Sequence, residues 1–454
     1  MTEPDDNNSE ISTGWTQPVS VPSLPEVFRS ISVPLGGKAW RRLLAFIGPG
    51  YLVAVGYMDP GNWATDIAGG AAYNYRLLSV VLISSLMAIF LQSLSAKLGI
   101  VAQRDLAQAC RDTYSRSTGI LLWISAEIGI VACDLAEVIG AAIALNLLFG
   151  LPEILGVLIT TIDVLLVLAL NSRGFRWIET FVITLIATMM TIFGVEIFIA
   201  KPHWTSVVAG FVPHSQIIRD HEMLYIALAI LGATVMPHNL YMHSSIVQTR
   251  RFGRSLAELK DTIRMAYLDS TIALTLALFV NAAILIMAAA VFYRSGHHDV
   301  QSIGDAYALL TPIVGTSVAA PLFAIALLAS GQNSTLTGTL AGQIVLEGFL
   351  QVKLKPWLRR LISRSLAVVP AVFFVAVSGH KGLDNLMLLS QVVLSAQLSF
   401  AVFPLVQLTS DKNKMGPFVN GAVTKAIGWS MAVMIAVLNV FLIYTSLFPA
   451  KGQK

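Results

Sequence analysis

Residues 48–70 read GPGYLVAVGYMDPGNWATDIAGG, an apolar stretch that Asp59-Pro60-Gly61-Asn62 interrupts at its centre. Proline cannot donate a hydrogen bond to a helix and glycine weakens one, so this tetrapeptide predicts a helix that unwinds at its midpoint. In a membrane span, the break would put the carboxyl group of Asp59 near the bilayer centre. A charge is costly there and usually marks an ion or substrate path, so Asp59 is the first candidate site residue.

The composition of the whole chain places it in a membrane. Of 454 residues, 55% are hydrophobic and only 12% are charged, with a mean hydropathy of +0.71. Runs of about 20 apolar residues recur between short polar loops, which indicates an all-α polytopic protein with the lipid bilayer as a partner. The net charge of +4 is spread over loops, which argues against nucleic acid as a partner. Cys110 and Cys133 do not suggest a disulfide framework.

Hydropathy and loop polarity predict eleven membrane spans, of which the first and the sixth are broken. Residues 1–37 are acidic at their start and then carry spaced prolines, so we expect a disordered cytoplasmic tail. The eleven spans are predicted at about 44–73, 77–102, 118–149, 152–171, 177–200, 223–249, 265–293, 316–350, 361–378, 384–408 and 423–447.

The distribution of lysine and arginine predicts the orientation of these spans. Alternate loops are rich in lysine and arginine, whereas the loops on the opposite side of the membrane carry only scattered cations such as Arg76, Lys201, Arg219, Arg294 and Lys381. By the positive-inside rule, the basic loops are cytoplasmic, the amino terminus is inside and the carboxyl terminus is external. The loops on the basic side contain Arg104, Arg111, Arg116, Arg173, Arg176, Arg250, Arg251, Arg254, Lys260, Arg264, Lys353, Lys355, Arg359, Arg360, Lys412 and Lys414.

A second break lies in the sixth span, where Met236-Pro237-His238-Asn239 interrupts an apolar run. Both breaks contain Pro-x-Asn, and broken segments at corresponding places in two halves point to the binding site of an inverted-repeat transporter. Because each repeat then has five spans, the second is inverted in the membrane. We therefore divide the chain into the tail, a first repeat at 38–200, a second repeat at 201–410, and a final helix with an external end at 411–454.

If the two breaks meet, they offer a mixed set of oxygen and sulfur ligands. The set contains the Asp59 carboxylate, the Asn62 amide oxygen, the Met236 thioether and backbone carbonyls freed at Gly56 and Ala233. Oxygen ligands alone suit Ca²⁺ or Mg²⁺, whereas a thioether favours softer ions such as Mn²⁺, Fe²⁺, Co²⁺ or Cd²⁺. Two structural alternatives stay open, because Met236 can simply pack in the core and Asn62 can cap a helix that begins at Trp63.

The third span contains three acidic residues, Glu127, Asp134 and Glu137, whose spacing puts them on one face of a helix. Buried carboxyl groups exchange protons readily, so this face is interpreted as a proton relay that leads away from Asp59. Salt bridges to Arg359 or Arg360 in the ninth span are the structural alternative, and they are compatible with a relay.

Three further polar residues lie in or beside the predicted spans. His238 neighbours Met236 in sequence, and we favour proton handling over metal binding because a helix turns it away from Met236. His243, in the helix that follows, is not assigned a function. Gln391 in the tenth span is either a site group or a hydrogen bond between helices.

The motifs MDPGN and MPHN, together with DLAE in the third span and SGQNSTLTGTLAGQ in the eighth, resemble the Nramp (natural resistance-associated macrophage protein) family of proton-coupled divalent metal transporters, specifically its bacterial manganese-transport branch. The resemblance covers residues 40–447. It implies a leucine-transporter-type fold of two inverted five-helix repeats. The metal ligands that it implies are Asp59, Asn62, Met236 and the carbonyls of Gly56 or Ala233.

The resemblance also implies roles that the residues alone do not. Gln391 would join the ion in some conformations, and His238, Asp134 and Glu137 would serve proton transport. Arg359 or Arg360 would continue the route toward the cytoplasm. Family members that carry magnesium lack the methionine, so Met236 agrees with a transition-metal preference.

The leading hypothesis is therefore a secondary transporter, not an enzyme, that imports Mn²⁺ or Fe²⁺, and also Co²⁺ and Cd²⁺, together with protons by alternating access. We expect it in the bacterial inner membrane, with no cofactor and no obligate protein partner, since the metal is cargo. Two alternatives remain. One is a sodium-coupled carrier of small solutes with the same fold, and the other is an intramembrane metalloenzyme that uses His238 and His243.

Overall fold

The computed structural model describes residues 15, 22–25, 27–33, 39–160, 175–300, 302–315, 317–378 and 380–447. Helices dominate this part of the chain, and two very short strands, β1 (Ile31–Ser32) and β2 (Arg250–Arg251), pair in parallel. The α-helices are α1 (Ala39–Phe46), α2 (Pro49–Gly56), α3 (Pro60–Tyr73), α4 (Leu78–Ala102), α5 (Leu106–Thr113), α6 (Arg116–Phe149), α7 (Glu153–Ile159), α8 (Phe175–Ala200), α9 (Trp204–Gly210), α10 (Gln216–Arg219), α11 (His221–Thr234), α12 (Pro237–Ile246), α13 (Leu256–Val291), α14 (Ile303–Val314), α15 (Ala319–Leu350), α16 (Pro356–Ser378), α17 (His380–Thr409), α18 (Lys412–Met415) and α19 (Ala422–Leu447).

The prediction of an all-α polytopic membrane protein is confirmed. The count of eleven spans stays a prediction, because the fourth predicted span, 152–171, runs past Thr160 into residues outside the described part. Within the described residues, seven helical segments are long and apolar enough to cross a membrane: Pro60–Ala102, Arg116–Phe149, Phe175–Ala200, His221–Thr249, Leu256–Ser295, Asn385–Thr409 and Ala422–Tyr444.

Both predicted helix breaks are present. The first separates α2, which ends at Gly56, from α3, which begins at Pro60. The second separates α11, which ends at Thr234, from α12, which begins at Pro237. Each proline occupies the first turn of its new helix, where the backbone N–H would have no intrahelical partner, so its missing donor costs nothing there.

The end of α2 that faces the basic loops is held by buried charges on other helices. The Arg250 guanidinium donates from Nε to the Phe46 carbonyl at 3.0 Å and forms an ion pair with Glu179 at 2.8 Å. The Asp269 carboxylate accepts a hydrogen bond from the Gly50 N–H at 2.7 Å. Because a helix N-terminus leaves its first N–H groups unpaired, Asp269 supplies the partner that α2 lacks in its own sequence.

The described part of residues 1–37 is docked on the basic side, which corrects the prediction of a disordered tail for that part. β1 pairs with β2, the Ser23 hydroxyl donates to Asp105 at 2.6 Å, and the Leu24 side chain is only 2% exposed. Burial raises the pKa of Asp105 to about 6, and the hydrogen bond from Ser23 acts in the opposite direction. The composition of residues 1–37 does not predict this docking, because strand pairing and a few buried apolar side chains leave no periodic pattern in the sequence.

We predict that Leu24→Asp releases this segment, because burying a charge in place of leucine costs several kcal/mol. Trypsin cleavage after Arg29, followed in inside-out vesicles, is expected to become faster. Ser30→Asp is the matched control, since Ser30 is exposed in the same segment. Equal cleavage of the parent protein and the Leu24→Asp variant would contradict the docking.

Candidate metal site

Asp59 begins α3 and uses one carboxylate oxygen to do so. Its backbone is extended, with φ −70° and ψ 167°, and its Oδ1 accepts a hydrogen bond from the Asn62 N–H at 2.8 Å. The other oxygen, Oδ2, has no hydrogen-bond partner in the described part of the chain, and the residue is 0% exposed. A buried carboxylate oxygen without a partner is rare, and here it lies directly at a helix break. Asp59 thus caps a helix with one oxygen and keeps the second available for a cation.

Asn62 does not cap a helix, so the structural alternative raised for it is wrong. The helix begins at Pro60 rather than at Trp63, and Asp59 is the capping residue. The side-chain oxygen of Asn62 has no partner among described groups, and the residue is 1% exposed. The sequence pattern Asp-Pro-Gly-Asn admits either residue as the cap. The structure assigns that role to Asp59, which leaves the amide oxygen of Asn62 unused.

Met236 occupies the equivalent place in the second break. It is the N-cap residue of α12, with an extended backbone, and it is 0% exposed. Its sulfur accepts a hydrogen bond from Nδ2 of Asn239 at 3.7 Å. A Cβ atom added to Gly56 would lie 2.3 Å from the same Asn239 nitrogen, so the two breaks touch each other. Asn239 is a site neighbour that sequence reasoning passed over, although the shared Pro-x-Asn pattern marks it.

The two prolines determine which carbonyl groups lose their helical partners. In an α-helix each N–H bonds to the carbonyl four residues earlier, and proline has no N–H. Pro60 therefore offers nothing to Gly56, and Pro237 offers nothing to Ala233. These are the two carbonyls that the sequence proposes as metal ligands. Both residues are the last or next to last of their helices, as the break requires.

Neighbouring helices satisfy the other carbonyls of the first break. Asn281 of α13 donates from Nδ2 to the Tyr57 carbonyl at 2.8 Å, and the Ser330 hydroxyl of α15 donates to the Met58 carbonyl at 2.6 Å. Ser330 is the first residue of the SGQNSTLTGTLAGQ run in α15, so this motif of the eighth predicted span contacts the first break. Hydrogen bonds from α13 and α15 thus hold the turn between α2 and α3. Neither of these two bonds involves the carbonyl of Gly56.

Gln391 lies against the first break. A Cβ atom added to Gly61 would sit 2.1 Å from Nε2 of Gln391, so the end of this side chain packs directly against the glycine. Gln391 is 0% exposed, and its Oε1 has no partner within the described residues. Its Nε2 donates to the Ser390 hydroxyl at 3.0 Å. The structure therefore adds the Gln391 amide to the polar groups near the first break, beside the Asp59 carboxylate and the Asn62 amide.

The donor set favours a divalent ion that tolerates both hard and soft ligands. No group of three or more His, Cys, Asp or Glu side chains forms a metal cluster in the described part of the chain. The two breaks instead combine a carboxylate, amide oxygens, a thioether and freed carbonyls, all shielded from solvent. One carboxylate does not neutralise a divalent charge. A bound ion therefore depends on the partial charges of neutral ligands, and carbonyl and amide oxygens provide them.

The acids of α6 are placed differently from one another. Glu137 accepts a hydrogen bond from the Ser334 hydroxyl at 2.7 Å and pairs with Arg364 at 3.2 Å, with both charged side chains 0% exposed. Arg364 also donates to the carbonyl of Asp134 at 3.4 Å. Arg364 is the main functional candidate that sequence reasoning missed. The available signal was a third arginine inside an apolar span, five residues after Arg359.

Glu127 lies farther along α6, toward the basic side. It pairs with Arg359 at 2.6 Å and accepts a hydrogen bond from the Trp123 indole at 3.1 Å. The salt bridge between an acid of the third span and Arg359, which the sequence analysis gave as an alternative to a proton relay, is thus present. The side chain of Arg360 lies outside the described residues. The three acids therefore share a face, but each has its own surroundings.

The two histidines of α12 have separate environments. Both ring nitrogens of His238 lack hydrogen-bond partners among the described groups, and its ring interacts electrostatically with Asp134. His243 instead contacts Oε1 of Gln92 through Nδ1 at 3.0 Å, and Gln92 donates to the Tyr57 hydroxyl at 2.7 Å. The pair does not converge on one point. His238 faces the acids of α6, whereas His243 supports the turn of the first break.

Comparison with known proteins agrees with this architecture. Residues 50–445 match the family described as natural resistance-associated macrophage protein-like. The chain is 57% identical over 442 residues to a divalent metal cation transporter MntH from Listeria monocytogenes, covering 97% of this chain and 99% of that protein. It is also 57% identical over 435 residues to a divalent metal cation transporter MntH from Bradyrhizobium diazoefficiens, with coverage of 96% and 97%.

Solved structures support the same conclusion. A crystal structure of the Eremococcus coleocola manganese transporter superposes with a TM-score of 0.87 at 43% identity, covering 95% of this chain and 93% of that one. Mhp1, a nucleobase-cation-symport-1 family transporter, superposes with a TM-score of 0.58 at 16% identity, covering 87% and 90%, and shows the shared fold alone. The expected leucine-transporter-type fold is thereby confirmed. The chain belongs to the natural resistance-associated macrophage protein (Nramp) family.

Proposed function

We propose that this protein is a divalent metal cation transporter that imports Mn²⁺ or Fe²⁺, and also Co²⁺ and Cd²⁺, together with protons. The observation that carries the proposal is the contact between the two broken helices. It brings buried oxygens of Asp59 and Asn62, which have no partners among described groups, to the break that contains Met236. The similar proteins are described as transporters of divalent metal cations or of manganese, which supports the same substrate class.

Three ligands would bind the metal through side chains and two through the backbone. We assign the side-chain roles to Asp59, Asn62 and Met236, and the backbone roles to the carbonyls of Gly56 and Ala233. The thioether of Met236 would contribute selectivity, because it binds soft transition ions and is a poor ligand for Ca²⁺. Gln391 lies against Gly61 and would join the ion when the helices around it move.

Proton transport would use the buried groups of α6 and α12. Electrostatic interactions connect Asp59 with Glu137 and His238 with Asp134. Glu127 and Arg359 lie farther along α6, toward the basic loops, and would continue the route. Arg360 would also continue the route toward the cytoplasm, as the resemblance implies. Arg364 would take part in the route through its ion pair with Glu137. Buried acids adjacent to a cation site suit a cycle in which proton and metal charges compensate each other.

We further propose that the basic loops are cytoplasmic and that the chain sits in a bacterial inner membrane with its carboxyl terminus external. The excess of arginine and lysine in alternate loops supports this orientation. The inner end of α2 would then be the end that Arg250, Glu179 and Asp269 hold. The proposal includes no resident cofactor and no obligate protein partner.

The two alternatives explain fewer of the observations. A sodium-coupled carrier of small solutes would share the fold, but it would not need a thioether at the second break. A metalloenzyme that uses His238 and His243 would need both rings at one ion. His243 instead contacts Gln92, whereas His238 faces the acids of α6.

We predict that Met236→Ala weakens metal discrimination more than it weakens Mn²⁺ transport. Proteoliposome uptake of Mn²⁺ is expected to fall severalfold, while Ca²⁺, excluded by the parent protein, becomes a competitor. Asp59→Ala should abolish uptake and sets the background. Met242→Ala is the matched control, because Met242 is equally buried in the same helix. Unchanged exclusion of Ca²⁺ by the Met236→Ala variant would refute the thioether argument.

We predict that an inward proton gradient accelerates Mn²⁺ uptake and that metal entry acidifies the vesicle lumen. A pH-sensitive dye inside the vesicles measures the proton movement. His238→Ala is expected to reduce the acidification per metal ion more than it reduces metal uptake. Uptake that responds to a sodium gradient and ignores pH would favour the solute-carrier alternative and remove the symport claim.

We predict that Arg364→Met destabilises the protein by about 3–5 kcal/mol, because it leaves the buried Glu137 carboxylate without its cation. Thermal unfolding in detergent measures this loss. Adding Glu137→Gln should recover part of it. Arg42→Met is the control, since the pair of Arg42 and Asp261 is 23% and 36% exposed and is worth about 0–1 kcal/mol. Equal effects of the two arginine variants would be inconsistent with this account.

A further inference from the structure

Glu196 of α8 is a buried acid that the candidate metal site does not use. The residue is 3% exposed, and neither of its carboxylate oxygens has a hydrogen-bond partner in the described part of the chain. It lies one turn before the end of α8 at Ala200, on the side of the membrane opposite the basic loops. Buried acids are normally paired, so a carboxyl group with two unused oxygens requires a reason.

Glu196 lines a narrow void between helices. The other lining residues are Ile199, Ala200, Met287, Val291, Leu310, Val314 and Ala319, and the void has no room for a water molecule. The described lining contains no titratable group besides Glu196. Among the described residues of this lining, no counter-charge therefore offsets the burial of the acid.

A larger cavity adjoins the void on the side away from the metal site. Its volume is about 390 Å³, and its lining includes Lys201, Arg294 and Ser295. Ile199, Ala200, Val291 and Val314 line both spaces, so the void and the cavity are direct neighbours. We call this larger space the outer cavity, in line with the proposed orientation.

Two residues that line the void, Glu196 and Ala319, each lie one helical turn from an aromatic side chain that contacts Trp63. Phe193, one turn before Glu196, packs edge-on against Trp63 with ring centroids 4.9 Å apart. Phe323, one turn after Ala319, packs against the same Trp63 at 5.1 Å. Trp63 directly follows Asn62 in α3. The void thus lies one helical turn outside the aromatic side chains that cover the candidate site.

The charge state of Glu196 must differ between a closed and an open arrangement of these helices. Burying an ionised carboxylate without a partner or water costs several kcal/mol, whereas the neutral acid costs far less. When the void opens to the outer cavity, water reaches the carboxyl group. Lys201 and Arg294, the charged groups of the described cavity lining, then favour its ionised form.

We propose that Glu196 is a proton-binding site of the outer closure, separate from the acids of α6. When the void closes, one carboxylate oxygen takes a proton from external water and an O–H bond forms. When the void opens, that proton returns to external water. Acidic external solution therefore favours closure. The proposal rests on the proposed orientation and on alternating access, but it requires neither metal binding nor symport.

The test measures how readily the void opens. Ala319 is 2% exposed, so Ala319→Cys places a small reporter thiol in the closed void. A membrane-impermeant thiol reagent is added outside right-side-out vesicles at acidic and at neutral pH. Labelling is compared between the reporter protein and the same protein with Glu196→Gln, because this ratio cancels the thiol's own ionisation. The parent protein, whose Cys110 and Cys133 are buried, gives the background.

We expect the labelling rate of the reporter protein, divided by the rate of the reporter that also carries Glu196→Gln, to fall on acidification. The fall should reach at most about tenfold per pH unit, because each closure binds one proton. Glu196→Asp keeps the carboxyl group and should keep the pH dependence. Glu222→Gln, an exposed acid on the same side, should behave like the reporter protein. A ratio that does not change with pH, or loss of pH dependence in Glu196→Asp, overturns the proposal.

A final arm separates this proposal from the proposed transport function. The reporter is combined with Asp59→Ala, which removes the carboxylate of the candidate metal site. Labelling should keep its dependence on pH and on Glu196 in this background, because closure of the void does not use the metal. Failure of metal transport with intact pH dependence would contradict the transport proposal only. Loss of the pH dependence in the Asp59→Ala background would contradict the separate role of Glu196.

Discussion

Two missing hydrogen bonds organise this protein. Pro60 and Pro237 cannot donate to the carbonyls of Gly56 and Ala233, so one helix in each half must stop and start again inside the apolar core. A break of this kind is tolerated in a membrane only when other groups satisfy the freed backbone. Asn281 and Ser330 do so for the turn of the first break. The Gly56 carbonyl is not among those that Asn281 and Ser330 contact.

The rest of the interior is organised by the cost of burying charge. Arg364 and Glu137 are both 0% exposed and pair with each other, while Arg250 pairs with Glu179 at the inner end of α2. A buried ion pair adds little net stability but is costly to break. Such pairs therefore favour one arrangement of the helices that carry them. Glu196 is unlike them, because the described part of the structure gives it no counter-charge.

Sequence reasoning predicted the helix breaks and singled out the polar residues at them and the acids of α6, because intramembrane polar residues are few and each needs an explanation. It did not predict the cap of α3, since Asp59 and Asn62 both have capping side chains and pattern alone does not rank them. It also passed over Arg364, which looks like a span-flanking cation until its contact with Glu137 is known. The docked segment around Leu24 has too few apolar residues to produce a pattern.

The amino-acid sequence by itself determined that the chain is an all-α membrane protein, that two of its helices break, and which residue types lie at the breaks. Those properties follow from local chemistry, namely the missing N–H of proline, the hydropathy of each segment and the cost of an intramembrane charge. Only the tertiary structure decided which partners meet. The contact of Asn239 with Gly56, the place of Gln391 against Gly61 and the isolation of Glu196 depend on residues far apart in the chain, and packing brings them together.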